Sequence, residues 1–108
     1  MRTRTGLKML VLCLGTLATA SAFAAGDAEA GRSKAFTCMG CHGVPSYTNA
    51  YPTYHVPKLG GQHAQYLVSA LQSYKSGQRS HGTMRAQAAN LSDQDMEDIA
   101  AYFASRTE

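Results

Sequence analysis

The stretch Phe36-Thr37-Cys38-Met39-Gly40-Cys41-His42-Gly43, "FTCMGCHG" at positions 36–43, sets two thiols and an imidazole side by side. The 108-residue chain holds three cysteines, and Cys13 is the one outside this stretch. A chain that concentrates its sulfur this way is assembling a chemical site rather than scattering small core residues. What that site is depends first on whether Cys13 belongs to the same folded unit.

Cys13 lies in an N-terminal pattern of export. "MRTRTGLK" carries Arg2, Arg4 and Lys8 and no acid, "MLVLCLGTLATA" is apolar, and "SAFAA" supplies small residues around a cut after Ala24. Basic, then apolar, then small is the order of a secretory signal. An uncleaved anchor needs about 20 predominantly apolar residues; the run from Met9 is shorter and is diluted by Gly15, Thr16 and Thr19. Leu12 precedes Cys13, where a lipoprotein cut needs a small residue. We therefore read residues 1–24 as a cleaved signal and 25–108 as one domain, exported to the periplasm with no stable membrane insertion. Cys38 and Cys41 are then the cysteines the mature chain keeps.

Cleavage also removes the charge excess. Ten Lys and Arg against seven Asp and Glu give +3, and Arg2, Arg4 and Lys8 account for all of it. A mature domain near neutrality, with no Lys or Arg run after residue 25, lacks the basic patch that nucleic-acid binding requires. A core this small stabilises a fold only marginally without a disulfide, metal or cofactor. A disulfide across two intervening residues closes too small a loop to constrain much.

Three helical segments and no convincing strands can be read. Asp27 is placed to cap a first helix running toward Thr37, with Ala28, Gly31 and Ala35 on one small-residue face. A second spans about His63 to Ser76: Leu67, Ala70, Leu71 and Tyr74 form its apolar stripe, and Gly77 stands at the C-terminal cap. Ser92 caps a third, with Asp93 and Asp95 at its positive end and Leu91 and Met96 spaced as a hydrophobic staple. Met96, Ile99, Ala100 and Phe103 continue that stripe. The segment 43–62 holds all three prolines, with Tyr47, Tyr51 and Tyr54, and reads as a long loop. So long a loop in so small a domain is reasonable if it wraps a large bound group. The segment 77–90, with Met84, reads as an irregular linker.

Cys-x-x-Cys followed at once by His is the attachment sequence of c-type haem. The thiols add across the two haem vinyl groups as thioethers, and the adjacent imidazole reaches the iron. Three readings compete. Structural zinc needs four ligands, so a second pair would come from the scattered His55, His63 and His81. A thioredoxin-like pair expects a βαβ context, and a plain disulfide fits an oxidising compartment. If the group is haem, its second axial ligand must come from elsewhere. Met39 is too close to its own cysteines, and Met96 is accounted for as core. Met84 has no evident packing duty and is favoured, since Met/His ligation is usual in electron-carrying haem proteins. His55, His63 or His81 would instead give bis-His iron; of these, His81 stands nearest Met84.

The chain resembles the class I c-type cytochromes, in particular the small soluble monohaem bacterial type. It is similar to one half of the dihaem cytochromes c of bacterial respiratory chains. The likeness covers residues 26–108 and rests on three stretches in order: "GDAEAGRSKAFTCMGCHG", "PKLGGQHAQYLVSALQSYKSGQR" and "MRAQAANLSDQDMEDIAAYFAS". The dihaem relatives carry a second Cys-x-x-Cys-His, and this chain has one. The resemblance implies an all-α fold, a small cytochrome c with three to four helices wrapped around one covalently attached haem c. It implies thioethers at Cys38 and Cys41, axial ligands His42 and Met84, and a Pro57 carbonyl that accepts from the proximal imidazole. It places Leu59 on the haem face, and Gly31 and Tyr102 where the first and last helices cross. The function so implied is periplasmic transfer of one electron between redox protein partners, by a monomer and not by an enzyme. The same domain could serve as a soluble subunit of a larger oxidoreductase, and an open sixth site would make it a haem enzyme or gas sensor.

Overall fold

Asp27 begins the folded chain by accepting hydrogen bonds from the N–H groups of Glu29 at 2.9 Å and Ala30 at 3.3 Å. These satisfy two of the donors that a helix start leaves open. The structure is a computed structural model and describes residues 25–107. The expected export signal, with Cys13, lies outside the described residues.

The elements are α1 (Ala28–Lys34), α2 (Phe36–His42), β1 (Thr48–Asn49), β2 (Tyr54–His55), α3 (Ala64–Ser76), α4 (Gly82–Ala88) and α5 (Asp93–Ala104). The fold is helical, as expected, and among the described residues the expected three to four helices are divided into five segments. The first helix does not run on to Thr37. It breaks at Ala35, whose backbone leaves helical geometry at φ −78°, ψ 1°, and the Cys-x-x-Cys-His motif occupies a helix of its own. The segment 77–90 is not all linker, because two turns of helix, α4, carry Met84. Its only buried residue is Ala88, so no apolar stripe announces it. Its cap is the His81 imidazole, which accepts from the Met84 N–H at 3.3 Å. Within the long loop, β1 and β2 pair antiparallel, Thr48 opposite His55 and Asn49 opposite Tyr54.

The other two helices form where the pattern placed them. Gly77 ends α3 in the left-handed region at φ +83°, where a residue without Cβ is unstrained. Ser92 and Asp95 close a reciprocal capping box on α5. Met96, Ile99, Ala100 and Phe103 are all buried, as the stripe requires. Val68 of α3 is also buried, although it stands outside the stripe read from sequence.

Helix α1 packs on α5, and α3 packs on both α5 and α4. The first contact is unusually close. A Cβ built on Gly31 would lie 1.9 Å from the Asp98 carbonyl oxygen and 3.0 Å from Tyr102 Cβ. Only a glycine permits this approach, which fits the expected crossing of the first and last helices at Gly31 and Tyr102. Asp98 is 3% exposed, and its carboxylate is fully partnered. It accepts from Lys34 Nζ at 2.6 Å, the Asp27 N–H at 2.8 Å and Gln94 Nε2 at 2.8 Å. Lys34 also reaches Asp95 at 2.8 Å. A buried carboxylate is costly unless so satisfied. Here its partners come from both helices, so it welds them together.

Gly31→Ala is expected to destabilise the protein by about 1–3 kcal/mol, the usual cost of forcing backbone apart in a packed interior. Gly82→Ala, whose added methyl meets nothing within 4 Å, should leave the urea midpoint unchanged or slightly raised. The Lys34 ammonium, with the Asp27 N–H and Gln94, lowers the Asp98 pKa to about 2 from 3.8. A depressed carboxylate stabilises the fold above its unfolded pKa and loses that contribution as pH falls through the folded one. Asp98 should therefore contribute fully above about pH 4 and progressively less toward about pH 2. Denaturant titrations should show Asp98→Asn less stable at pH 7, with the gap to wild type narrowing across that window.

Candidate haem-binding site

The haem motif opens onto a cavity of about 380 Å³. Cys38, Cys41 and His42 reach it from α2, Pro57 and Leu59 from the segment before α3, and Met84 from α4. All six residues singled out from sequence thus line one space. The wall between them is largely apolar, with Leu67, Ala70 and Leu71 of α3 and Ile99 and Phe103 of α5. The α3 stripe read from sequence faces the cavity, while Val68 beside it turns into the protein core.

Local bonds fix the polar groups. His42 Nδ1 lies 2.7 Å from the Pro57 carbonyl oxygen. A carbonyl can only accept, so Nδ1 carries the proton and Nε2 keeps its lone pair free for a metal. The Gly61 N–H donates to the Phe103 carbonyl at 3.0 Å, which ties the segment bearing Pro57 and Leu59 to α5. Cys38 and Cys41 are free thiols, both half-buried. Burial pushes the Cys38 thiol above its ordinary pKa.

The other histidines have different duties. His81 uses Nδ1 as acceptor for the Met84 N–H, so its proton sits on Nε2 in the neutral ring. His55 pairs through Nδ1 with the Thr48 hydroxyl at 2.9 Å. His63 stands exposed at the N-cap of α3, outside the cavity wall. Among the described residues, no group of three or more His, Cys, Asp or Glu side chains is placed to hold a metal ion. That removes the geometric basis of the zinc reading. The context of the thiols is helical, without the βαβ unit that a thioredoxin-like pair expects.

Sequence reasoning left the tyrosines of the loop without a role. Tyr54 has one: it lines the cavity, meets the His81 ring edge-on at 4.6 Å, and points its hydroxyl at Thr83 Oγ1, 3.4 Å away. Tyr74 lies on the other side of His81, with ring centroids 6.3 Å apart. Tyr51 is 95% exposed and takes no part in the wall. Strand β2 is only two residues long, and His55 and Val56 line the cavity beside Tyr54, so no periodic signal marks it in the sequence.

The donor set fits a haem. Two thiols three positions apart on α2, an imidazole with Nε2 free, a thioether and an apolar wall stand around one cavity. Comparison with known proteins agrees. Residues 28–107 match the cytochrome c family. The chain is 47% identical over 100 residues to cytochrome c4 of Pseudomonas aeruginosa, covering 92% of this chain and 48% of that protein. It is 47% identical over 85 residues to cytochrome c-554(548) of Halomonas halodenitrificans, covering 76% of this chain and 99% of that protein. The chain spans about half the length of the cytochromes c4 it matches.

Two solved structures are similar. Reduced cytochrome c4 from Pseudomonas stutzeri is 31% identical with a TM-score of 0.59, covering 74% of this chain and 48% of the other. Thiosulfate dehydrogenase from Marichromatium purpuratum is 33% identical with a TM-score of 0.64, covering 78% and 20%. With the motif, the cavity and these relatives in agreement, the chain belongs to the cytochrome c family, as a small class I c-type cytochrome resembling one half of cytochrome c4.

Proposed function

We propose that this protein carries one electron at a time on a single covalent haem c, between redox protein partners of a respiratory chain in the periplasm. The observation that carries the reading is the convergence of Cys38, Cys41, His42, Pro57, Leu59 and Met84 on one apolar cavity. The haem, when bound, supplies an iron that accepts and releases an electron with no bond to substrate made or broken.

The residues hold and tune. Cys38 and Cys41 would tether the group covalently. His42 would hold the iron through Nε2. The Pro57 carbonyl holds the His42 ring in a single tautomer and raises its basicity, as hydrogen-bonded partners of metal-bound histidines do. Met84 would hold the iron through its thioether, and Met/His ligation raises the reduction potential. His81 is the weaker candidate, because its Nδ1 is engaged in capping α4 and its Nε2 is protonated. Leu59, with Leu67, Ile99 and Phe103, excludes water from the cavity, which favours the less charged state of the iron. With both His42 and Met84 at the cavity and available to the iron, an electron carrier is favoured over a haem enzyme or gas sensor.

A second reading is supported by the likeness to thiosulfate dehydrogenase, of which this chain matches 20%. The same domain would then be a soluble subunit of a larger oxidoreductase. Among the described residues, no helix is long and apolar enough to cross a membrane. The domain is taken as residues 25–108, with 1–24 removed on export.

Visible spectra of the purified mature protein test the reading. The reduced form should be sharp and unchanged by carbon monoxide, and the oxidised form should show the weak long-wavelength sulfur–iron band. Met84→Ala should lose that band and take up carbon monoxide. Prompt carbon monoxide binding by the wild type would overturn the carrier assignment. N-terminal sequencing of the exported protein should begin at Ala25; a chain retaining Met1 would remove the cleaved-signal reading.

A further inference from the structure

Helix α4 is weak on its own terms. It has seven residues and opens on Gly82. A helix so short does not hold in water by itself, and glycine weakens it further. Its first turn carries no acidic residue, and Ala88 is its one buried residue. Yet α4 carries Met84, the thioether that the haem reading requires at a fixed place on the cavity wall. Whatever fastens the start of α4 therefore sets where Met84 stands.

His81 fastens it. The Met84 N–H donates to His81 Nδ1 at 3.3 Å, so the cap bond ends on the residue that lines the cavity. Ser, Thr, Asp and Asn cap helices with short side chains; an imidazole can do so only if its ring is turned to present Nδ1. Two tyrosines border that ring. Tyr54 of β2 meets it edge-on at 4.6 Å, and Tyr74 of α3 lies 6.3 Å away at an interplanar angle of 73°. The Tyr54 hydroxyl also reaches Thr83 Oγ1, 3.4 Å away in the same helical turn. Strand β2, α3 and α4 thus meet at one imidazole.

We propose that His81, oriented by Tyr54 and Tyr74, is a positioning residue for Met84: by capping α4 it holds the thioether in place and slows its departure from the iron. This rests on the haem reading above and extends it to a residue otherwise met only as a rival ligand. The competing role is packing alone, with His81 filling the space between two tyrosines.

Two rates of the haem-loaded protein separate these roles. Amide exchange reads how often the Met84 N–H is released. Uptake of added imidazole by the ferric protein reads how often the thioether leaves the iron. His81→Phe keeps a ring between the tyrosines but offers no acceptor. Both rates should rise about five- to thirtyfold, the span from a typical to a strong helix cap. His81→Asn offers an acceptor without the ring, and should keep both rates within about twofold of wild type. Ser92→Ala uncaps α5 instead, and should also leave both within about twofold, because it acts at a separate site.

Unchanged rates in His81→Phe overturn the proposal. Equally fast rates in His81→Asn overturn it in favour of packing, and equal increases in Ser92→Ala overturn it as an effect of global stability. Should His81→Phe fail to accumulate, nitrogen NMR of the ferrous wild type decides: the neutral His81 ring should carry its proton on Nε2, and a proton on Nδ1 overturns the cap. A wild-type protein without the sulfur–iron band would overturn the axial role of Met84 itself, and the proposal with it.

Discussion

Leu67, Ile99 and Phe103 belong both to the buried core and to the wall of the cavity, and this double duty governs the rest of the molecule. In a self-sufficient small domain, such side chains meet one another and exclude space. Here they border about 380 Å³ that the chain does not fill. Apolar surface facing a void forfeits the dispersion contacts a packed neighbour would supply, and a cavity costs stability in proportion to its size. The group that occupies this space is therefore a structural part of the core as well as the carrier of function.

Two fastenings set the shape of that space. On one side, the Asp98 carboxylate gathers Lys34, the Asp27 N–H and Gln94, while Gly31 lets α1 lie directly on the α5 backbone. On the other, His42 Nδ1 holds the Pro57 carbonyl at 2.7 Å, and the Gly61 N–H holds the Phe103 carbonyl. The second chain of contacts runs from the motif helix through the loop to α5. It thus couples the orientation of a prospective iron ligand to the most deeply buried helix. A histidine in a mobile loop would have its rotamer and tautomer averaged by solvent; His42 has neither freedom.

Legibility in the sequence followed the length of the repeating signal. Helix α5 spans three turns with an unbroken apolar stripe and a reciprocal cap, and its core residues could be named from spacing alone. The Cys-x-x-Cys-His motif was equally plain, because its chemistry is local. Helix α4 escaped notice, since two turns with one buried residue carry no period and an imidazole cap is not among the usual starters. The break at Ala35 was hidden because alanine favours helix on both sides of it; tertiary packing of a fully buried residue decides the matter there. Tyr54 could not be assigned because its neighbour His81 is brought to it only by the folded chain. Met84 was singled out as a loop methionine without packing duty. It lies on a helix instead, and what recommends it is its place on the cavity wall.

The closure of α1 on α5 also explains how one such unit can stand in proteins of different size. Among the described residues, the cavity wall runs from Thr37 to Phe103, and α1, which precedes that span, is fastened to α5, which ends it. Among the described residues, the whole wall falls within the segment that matches the family, residues 28–107. A unit so closed can be joined to others without opening its site, because the joints fall outside the wall. The chain accordingly matches nearly all of cytochrome c-554(548), about half of cytochrome c4 and a fifth of thiosulfate dehydrogenase. What must differ between these settings is the outer surface, because the packing that shapes the cavity leaves it free. Phe36 and Tyr51, 80% and 95% exposed, stand on that outer surface and contribute nothing to the wall.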